Sequence, residues 1–249
     1  MPTAAILIIG NEILSGRTKD ANVAFLAERL GALGIPVREV RVVPDAEAEI
    51  VAAVNALRER YAYVFTTGGI GPTHDDITAA CIAKAFDAAL ERNPQAVTLL
   101  ENHYEPGQLN EARLRMANIP AGGILIDNPV SKAPGFQIGN VFVLPGVPCI
   151  MQAMFDGLTG RLQGGPPVLS RTVTCLLPEG RIATELSAVQ DRHPTVEIGS
   201  YPYLRNGQIG TSLVMRGTDP MAVEAAATAV ADLTRAYGDD PVITPGANG

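Results

Sequence analysis

The stretch Tyr61-Ala62-Tyr63-Val64-Phe65-Thr66-Thr67-Gly68-Gly69-Ile70-Gly71-Pro72-Thr73-His74-Asp75-Asp76-Ile77-Thr78 decides the fold. Its first part, Tyr61 to Thr67, is an apolar run rich in aromatic and β-branched residues, which predicts a strand. Three glycines break the run, and a helical pattern follows from about Asp76 to Leu90. A strand that turns through glycines into a helix is the unit of open α/β sheets, which place ligands at the carboxyl ends of their strands.

The same unit recurs upstream. Ala4 to Ile9 is a continuous apolar run closed by Gly10, the pattern of a strand covered on both faces. Ala21 to Leu33 carries apolar residues at helical spacing, with Asp20 as N-cap and Gly34 as stop. Val37 to Val43 reads as a strand, and Pro44-Asp45 opens a helix to about Arg60. This alternation implies right-handed crossovers and a largely parallel sheet with helices on both faces.

Farther along, the order is less regular. Asn93-Pro94 starts a helix reaching about His103, and Asn110 to Met116 is also helical. Ile124 to Ile126 is a short strand, and Gln137 to Leu144 forms a tight hairpin turning at Gly139-Asn140. Pro145-Gly146-Val147-Pro148 opens a helix through Met151, Met154 and Phe155, in which Met151 and Met154 stand at helical spacing and belong to the core. Gln163 to Pro167 marks a linker, dividing the chain into 1–165 and 170–240. The second part reads as strand (Arg171 to Leu177), helix (Ile182 to Val189), two strands (Val196 to Tyr201, Gly210 to Met215) and helix (Pro220 to Tyr237). It is a small α+β unit, and Ile243 to Gly249 is expected to fray.

Composition narrows the function. With 47% hydrophobic and 18% charged residues, the 249-residue chain is globular. Its net charge of −7 disfavours a nucleic-acid partner, which needs a basic surface. No apolar run approaches the roughly 20 residues of a membrane helix. No basic residue precedes the first apolar run, which argues against a secretory signal. Cys81, Cys149 and Cys175 are odd in number and widely spaced, which argues against a disulfide framework or a Cys-based zinc site and fits a reducing cytoplasm.

Chemistry concentrates between Thr66 and Thr78. Gly68, Gly69 and Gly71 allow close backbone approach, and free N–H groups at a helix start attract an anion. No Gly-Lys-Ser/Thr follows, so this is not a Walker loop, and the chain has no Gly-x-Ser-x-Gly elbow. Asp75 and Asp76 are the informative pair. Phosphate and carboxylate repel unless a divalent cation lies between them, and hard cations take oxygen ligands. The structural alternative is that Thr73 or Asp75 simply caps the helix. A second candidate loop, Gly10 to Gly16, offers Asn11 and Glu12 to a ligand or metal. A third, Asn128 to Phe136, offers Lys132 to neutralise phosphate, although such a lysine is usually solvated surface. Pro145 to Pro148 is a fourth strand-end turn, and His74, His103 and His193 show no metal spacing.

Four segments in this order, Ile9 to Leu14, Thr67 to Asp76, Ala133 to Phe136 and Leu144 to Pro148, resemble CinA-type competence/damage-inducible proteins of the wider Mog/MoaB molybdopterin-binding superfamily. The resemblance implies a three-layer α/β/α fold with a mixed sheet over 1–165 and a KH-like domain in the tail. It implies ligand contacts at Gly10, Asn11, Gly16 and Asn22 near the first strand, and at Gly68, Gly69, Gly71, Pro72, Thr73 and Thr78 in the central loop. Further contacts are implied at Asn128, Ser131, Lys132, Pro134 and Gly135, and at Pro145 and Gly146. The nicotinamide-mononucleotide deamidase domain of longer relatives has no counterpart in this sequence. Cys149-Ile150-Met151 also stands where relatives often carry Glu-Met, which removes one carboxylate from that turn.

The activity implied is a metal-dependent pyrophosphatase acting on ADP-ribose or a related nucleoside-diphosphate compound, FAD included. Asp75 and Asp76 would hold Mg²⁺, Mn²⁺ or Co²⁺, Glu12 would orient water or complete the metal shell, and K⁺ would be a possible assistant. A homo-oligomer, dimer or trimer, is implied as well. The alternative is a molybdopterin-binding protein without pyrophosphatase activity. A non-catalytic module is a third reading, but Pro178-Glu179-Gly180-Arg181 is not the basic Gly-x-x-Gly loop by which KH domains grip nucleic acid.

Overall fold

The computed structural model describes residues 1–205 and 207–245. The chain divides into two compact units, one comprising Met1–Leu30 and Ile35–Gly164, the other Gly31–Gly34 with the chain from Gly165.

The first unit begins with β1 (Ala4–Ile9), the short α1 (Asn11–Leu14), α2 (Asn22–Ala32), β2 (Val37–Val43), α3 (Glu47–Arg60) and β3 (Tyr63–Thr67). Then come α4 (Thr78–Ala85), β4 (Leu90–Arg92), α5 (Pro94–His103), α6 (Glu111–Leu114), β5 (Asn118–Pro120), β6 (Ile124–Ile126), β7 (Gly135–Ile138), β8 (Val141–Leu144) and α7 (Pro148–Leu158). The main sheet has the order β2-β1-β3-β8-β7-β6. β2, β1, β3 and β8 run parallel, and β7 and β6 are antiparallel additions, so the sheet is mixed.

Helices cover both faces, as the uninterrupted burial of β1 requires. On one side Ala5, Leu7 and Val64 meet Ile50, Val54 and Leu57 of α3 and Ile82 of α4. On the other, Phe65 stacks on Phe142 at 5.0 Å and meets Phe155 of α7 at 5.7 Å, while Phe155 touches Phe25 of α2 edge-on. Truncating a buried phenylalanine of this kind costs about 3–5 kcal/mol. The three-layer α/β/α fold is thus present.

Local signals set the helix starts. Asp20 accepts from the Val23 N–H at 2.8 Å, and Asn93 accepts from Ala96 N–H at 3.0 Å ahead of Pro94. The helix expected to reach Leu90 stops at Ala85. Asp87 turns at φ 50, and Leu90 instead pairs with Pro120 in the two-stranded β4–β5 ribbon. Those strands have only three residues each, too few to show an alternating pattern.

The second unit comprises β9 (Leu169–Cys175), α8 (Glu179–Arg192), β10 (Glu197–Arg205), β11 (Gln208–Gly217), α9 (Pro220–Ala236) and β12 (Val242–Pro245). Its sheet order is β10-β11-β9-β12 with every neighbouring pair antiparallel, the split β-α-β connectivity of ferredoxin-like units. Val173, Leu213 and Met215 of the sheet are buried with Ile182 of α8 and Val230 of α9. The expected fraying does not begin at Ile243. Val242–Pro245 adds a strand to β9, which satisfies its backbone, and residues 246–249 lie outside the described residues. Among the described residues no helix is long and apolar enough to cross a membrane.

Candidate functional site

The carboxyl ends of β1, β3 and β8 converge, and three loops leave them side by side: Gly10–Gly16, Gly68–Asp76 and Pro145–Val147. Glycine is what permits the convergence. A Cβ on Gly68, at φ +105, would lie 2.2 Å from the Ile9 carbonyl oxygen, whereas one on Gly146 would meet Gly68 Cα only at an ordinary contact of 3.4 Å. A Cβ on Gly69, at φ +66, would lie 2.2 Å from Thr78 Oγ1. The buried Thr78 locks this loop by donating its hydroxyl to Gly68 O and its N–H to Gly69 O, both at 3.0 Å.

The loops enclose a cleft of about 510 Å³, within the about 300–1,000 Å³ usual for small-molecule sites. It brings together Glu12, Gly68, Gly69, Gly71, Asp75 and Asp76 with Asn128, Ser131, Pro145 and Gly146. Thr18, Asp45, Ile70 and Met116 also line it. Ile70 belongs to the glycine motif, whereas no motif singles out Thr18, Asp45 or Met116, which reach the cleft only through the tertiary fold. Asn128 shapes its own loop: Oδ1 accepts from the Val130 and Ser131 N–H groups at 3.0 Å, and Nδ2 donates to Ala133 O at 2.8 Å.

The aspartates are organised by Thr73. Its N–H donates to Asp76 Oδ2 at 2.8 Å, and its hydroxyl lies 2.6 Å from Asp75 Oδ1 and 2.5 Å from Asp76 Oδ2. One hydroxyl proton serves one acceptor at a time, so two carboxylates compete for it. The Thr73 hydrogen bond, aided by the Asp75 backbone N–H, holds the Asp75 carboxyl below its ordinary range. These bonds stay within the loop. The N-cap of α4 is Ile77, with no side-chain cap, so neither Thr73 nor Asp75 caps that helix.

Other residues singled out in the sequence stand behind the cleft rather than on its wall. Gly10 lies under the Glu12 carboxylate, whose oxygens are 2.5 Å from where a Cβ would be. Asn11 donates its N–H to Asp45 at 2.8 Å, and Gly16 makes a turn at φ +72. Asn22, 3% exposed, donates to Gly146 O at 2.9 Å and so fixes the Pro145–Gly146 turn. Pro72 offers its carbonyl to Arg115 at 3.0 Å, and Pro134 and Gly135 are buried. Lys132, at φ 59, lines no part of the cleft. Arg115 does reach the glycine loop, at Pro72 O, and sequence reading missed it because it lies 43 positions from Pro72.

Among the described residues no three acidic, His or Cys side chains cluster closely enough to enclose a metal on their own. The donor set still suits a Mg²⁺-like ion, which takes one or two carboxylates and completes its shell with water and substrate phosphates. Asp75 and Asp76 offer such a pair at the mouth of a backbone cradle.

A three-layer mixed α/β unit with a glycine-lined cleft at its strand ends is the class of protein that this geometry defines. The chain belongs to the probable molybdopterin-binding domain family, whose model matches residues 5–164. Residues 167–237 match the middle domain of FAD synthase, where the sequence resemblance implied a KH-like domain. The crystal structure of the protein CinA, of unknown function, from Thermoplasma acidophilum is similar, with TM-score 0.61, 36% identity, and coverage of 64% of this chain and 97% of that one. A Pyrobaculum calidifontis protein is 39% identical over 81% of each chain. A probable FAD synthase of Caenorhabditis elegans is 34% identical over 93% of this chain, which spans 50% of that relative's length.

Proposed function

We propose that the first unit is a divalent-metal-dependent pyrophosphatase acting on a nucleoside-diphosphate compound of the ADP-ribose type. FAD contains the same P–O–P bridge, and the likeness to FAD synthases makes it the second substrate to try. One observation carries the reading: Thr73 gathers two carboxylates at the edge of a glycine cradle, in a cleft that Glu12 and Asp45 make more acidic still. A phosphate ligand entering four carboxylates without a cation would be repelled.

Each group then has a role. Backbone N–H groups of Gly69, Ile70 and Gly71 receive one phosphate, the Gly68 N–H being donated to Leu144 O, and Asn22 holds the facing Gly146 turn in place. Asp75 and Asp76 hold the cation, which when bound neutralises the phosphoryl oxygens and lowers the barrier to attack. Glu12 orients a water and accepts the proton it loses. The water oxygen bonds to one phosphorus, the P–O bond to the bridging oxygen breaks, and that oxygen leaves with the electron pair. ADP-ribose thus yields AMP and ribose 5-phosphate.

The test is a panel of ADP-ribose, FAD and other nucleotide sugars with Mg²⁺, Mn²⁺ or Co²⁺, followed by product chromatography. Metal-dependent AMP release is expected; its absence with every metal rejects the hydrolytic reading. The second reading is a molybdopterin-binding protein, favoured by the family model itself. It predicts tight molybdopterin binding and no AMP from any member of the panel.

A further inference from the structure

The main sheet ends in two edge strands that are finished differently. β6 has three residues, too few to template another strand, whereas β2 has seven and contains neither lysine nor proline. Val40 and Val42 stand exposed on one face of β2. Beyond a register shift between Ala4 and Ala5, β2 pairs with β1 residue for residue from Glu39 to Val43. Val43 O accepts the Gly10 N–H at 3.2 Å, so the backbone of Val43 faces β1, and with it that of Arg41 and Glu39. Alternate residues of a strand turn their backbone groups opposite ways, so those of Val40 and Val42 point out of the sheet. We propose that this edge pairs with the same edge of a second copy of the chain, antiparallel about a two-fold axis at Val40.

The segment Glu39-Val40-Arg41 is complementary to itself in that register. Glu39 comes opposite the partner's Arg41, and Arg41 opposite the partner's Glu39, in non-hydrogen-bonded pairs whose Cα atoms stand about 4.5 Å apart. Within one chain Arg41 Nε already donates to Glu39 Oε1 at 2.6 Å, and the Tyr61 hydroxyl donates to Glu39 Oε2 at 2.7 Å, so both charges are preset on one face. Pairing closes them into a ring of two glutamates and two arginines of alternating sign. On the other face Val40 meets the partner's Val40, with Val42 of each chain beside them. An axis at Glu39 would set Glu39 against the partner's Glu39, and one at Arg41 would set Arg41 against the partner's Arg41. Like charges directly opposite destabilise a sheet, so charge selects the register. A patch that binds its own copy closes as a dimer. Because the two strands run in opposite directions, the two clefts lie at opposite ends of the joined sheet.

Val40→Pro and a pair of charge variants provide the test. Proline is tolerated where its missing N–H faces outward from an edge, so Val40→Pro spares the bonds to β1 and removes one that the partner needs. In Arg41→Glu each opposed pair becomes Glu on Glu, and in Glu39→Arg each becomes Arg on Arg. Mixing the two variants restores opposite charges at both positions. Sedimentation velocity of the full chain at micromolar concentration follows the mass, and circular dichroism checks the folding of each variant. The wild type is expected to be a dimer. Each single change should raise its dissociation constant at least tenfold, and an equimolar mixture of the two charge variants should return to dimer. A wild-type monomer or trimer would overturn the proposal, as would a mixture no more dimeric than either charge variant alone. Should Val40→Pro fail to fold, the mixture decides. The readout is mass and not turnover, so its failure leaves the proposed hydrolysis untouched.

Discussion

Thr73 and Asp76 are joined twice, by the Thr73 N–H at 2.8 Å and the Thr73 hydroxyl at 2.5 Å, both to the same oxygen, Oδ2. The same hydroxyl lies 2.6 Å from Asp75, whose carboxyl it holds below the ordinary value of 3.8. A depressed carboxyl pKa means that the ionised form, and whatever it stabilises, is fully present above the ordinary value and is lost as pH falls through the lower one. Thr73→Val should therefore move the acid limb of divalent-metal binding to higher pH, and Thr73→Ser should leave it in place. Metal titrations across the acid range check this; an unmoved limb in Thr73→Val would remove Thr73 from the site.

Two glycines of the strand-end loops, Gly10 behind the cleft and Gly69 on its wall, should fail differently when changed to alanine. Gly10 has φ 167, an extended backbone that any residue adopts, and the nearest atoms a Cβ there would meet are those of the flexible Glu12 carboxylate. Gly10→Ala should displace Glu12, lowering turnover at least tenfold while stability changes by less than about 1 kcal/mol. Gly69, at φ +66 against the buried Thr78, has no such relief. Gly69→Ala should cost about 1–3 kcal/mol or more in strain. Urea unfolding beside activity assays separates the two outcomes.

Arg115→Gln should weaken binding of a phosphorylated ligand about tenfold, which corresponds to about 1.4 kcal/mol. Lys132→Gln should leave affinity unchanged, because Lys132 lines no part of the cleft. Titration of both variants with AMP in the presence of Mg²⁺ decides between them.

Much of the fold is legible in the sequence because the elements that build it carry strong local signals. β2 and the β7–β8 hairpin show clear patterns, and Asn93-Pro94 announces a helix that starts where expected. β4 and β5 are not legible, since three-residue strands owe their existence to each other rather than to periodicity. β12 is likewise created by its partner β9. The candidate site divides in the same way. Consecutive residues such as Gly68 to Asp76 declare themselves, whereas Asp45, Arg115 and Met116 enter only when distant loops are brought together. Asn22, a ligand contact in the sequence reading, is buried and donates to Gly146 O, a link between distant segments that the sequence does not show.

The cysteines should differ in reactivity. Cys149 is exposed, whereas Cys81 and Cys175 are buried. Burial pushes the Cys81 thiol from 9.0 up to about 11 and raises that of Cys175 too. A raised thiol pKa stabilises the fold fully below the ordinary value, and that contribution is lost as pH rises through about 11. Alkylation of the native protein at neutral pH should label Cys149 alone. Mass spectrometry showing rapid labelling of Cys81 in the folded protein would contradict its burial.

Titrating Mn²⁺ into wild type and Asp76→Asn, with ADP-ribose present and AMP measured in the same samples, tests the aspartate-held cation most directly. Asparagine keeps an oxygen to accept the Thr73 N–H but loses the charge that a hard cation prefers. The expected result is an Asp76→Asn protein with wild-type thermal unfolding, Mn²⁺ affinity lowered at least tenfold and AMP release lowered by orders of magnitude. Wild-type Mn²⁺ affinity and wild-type AMP release in that variant would contradict a catalytic cation held by Asp76.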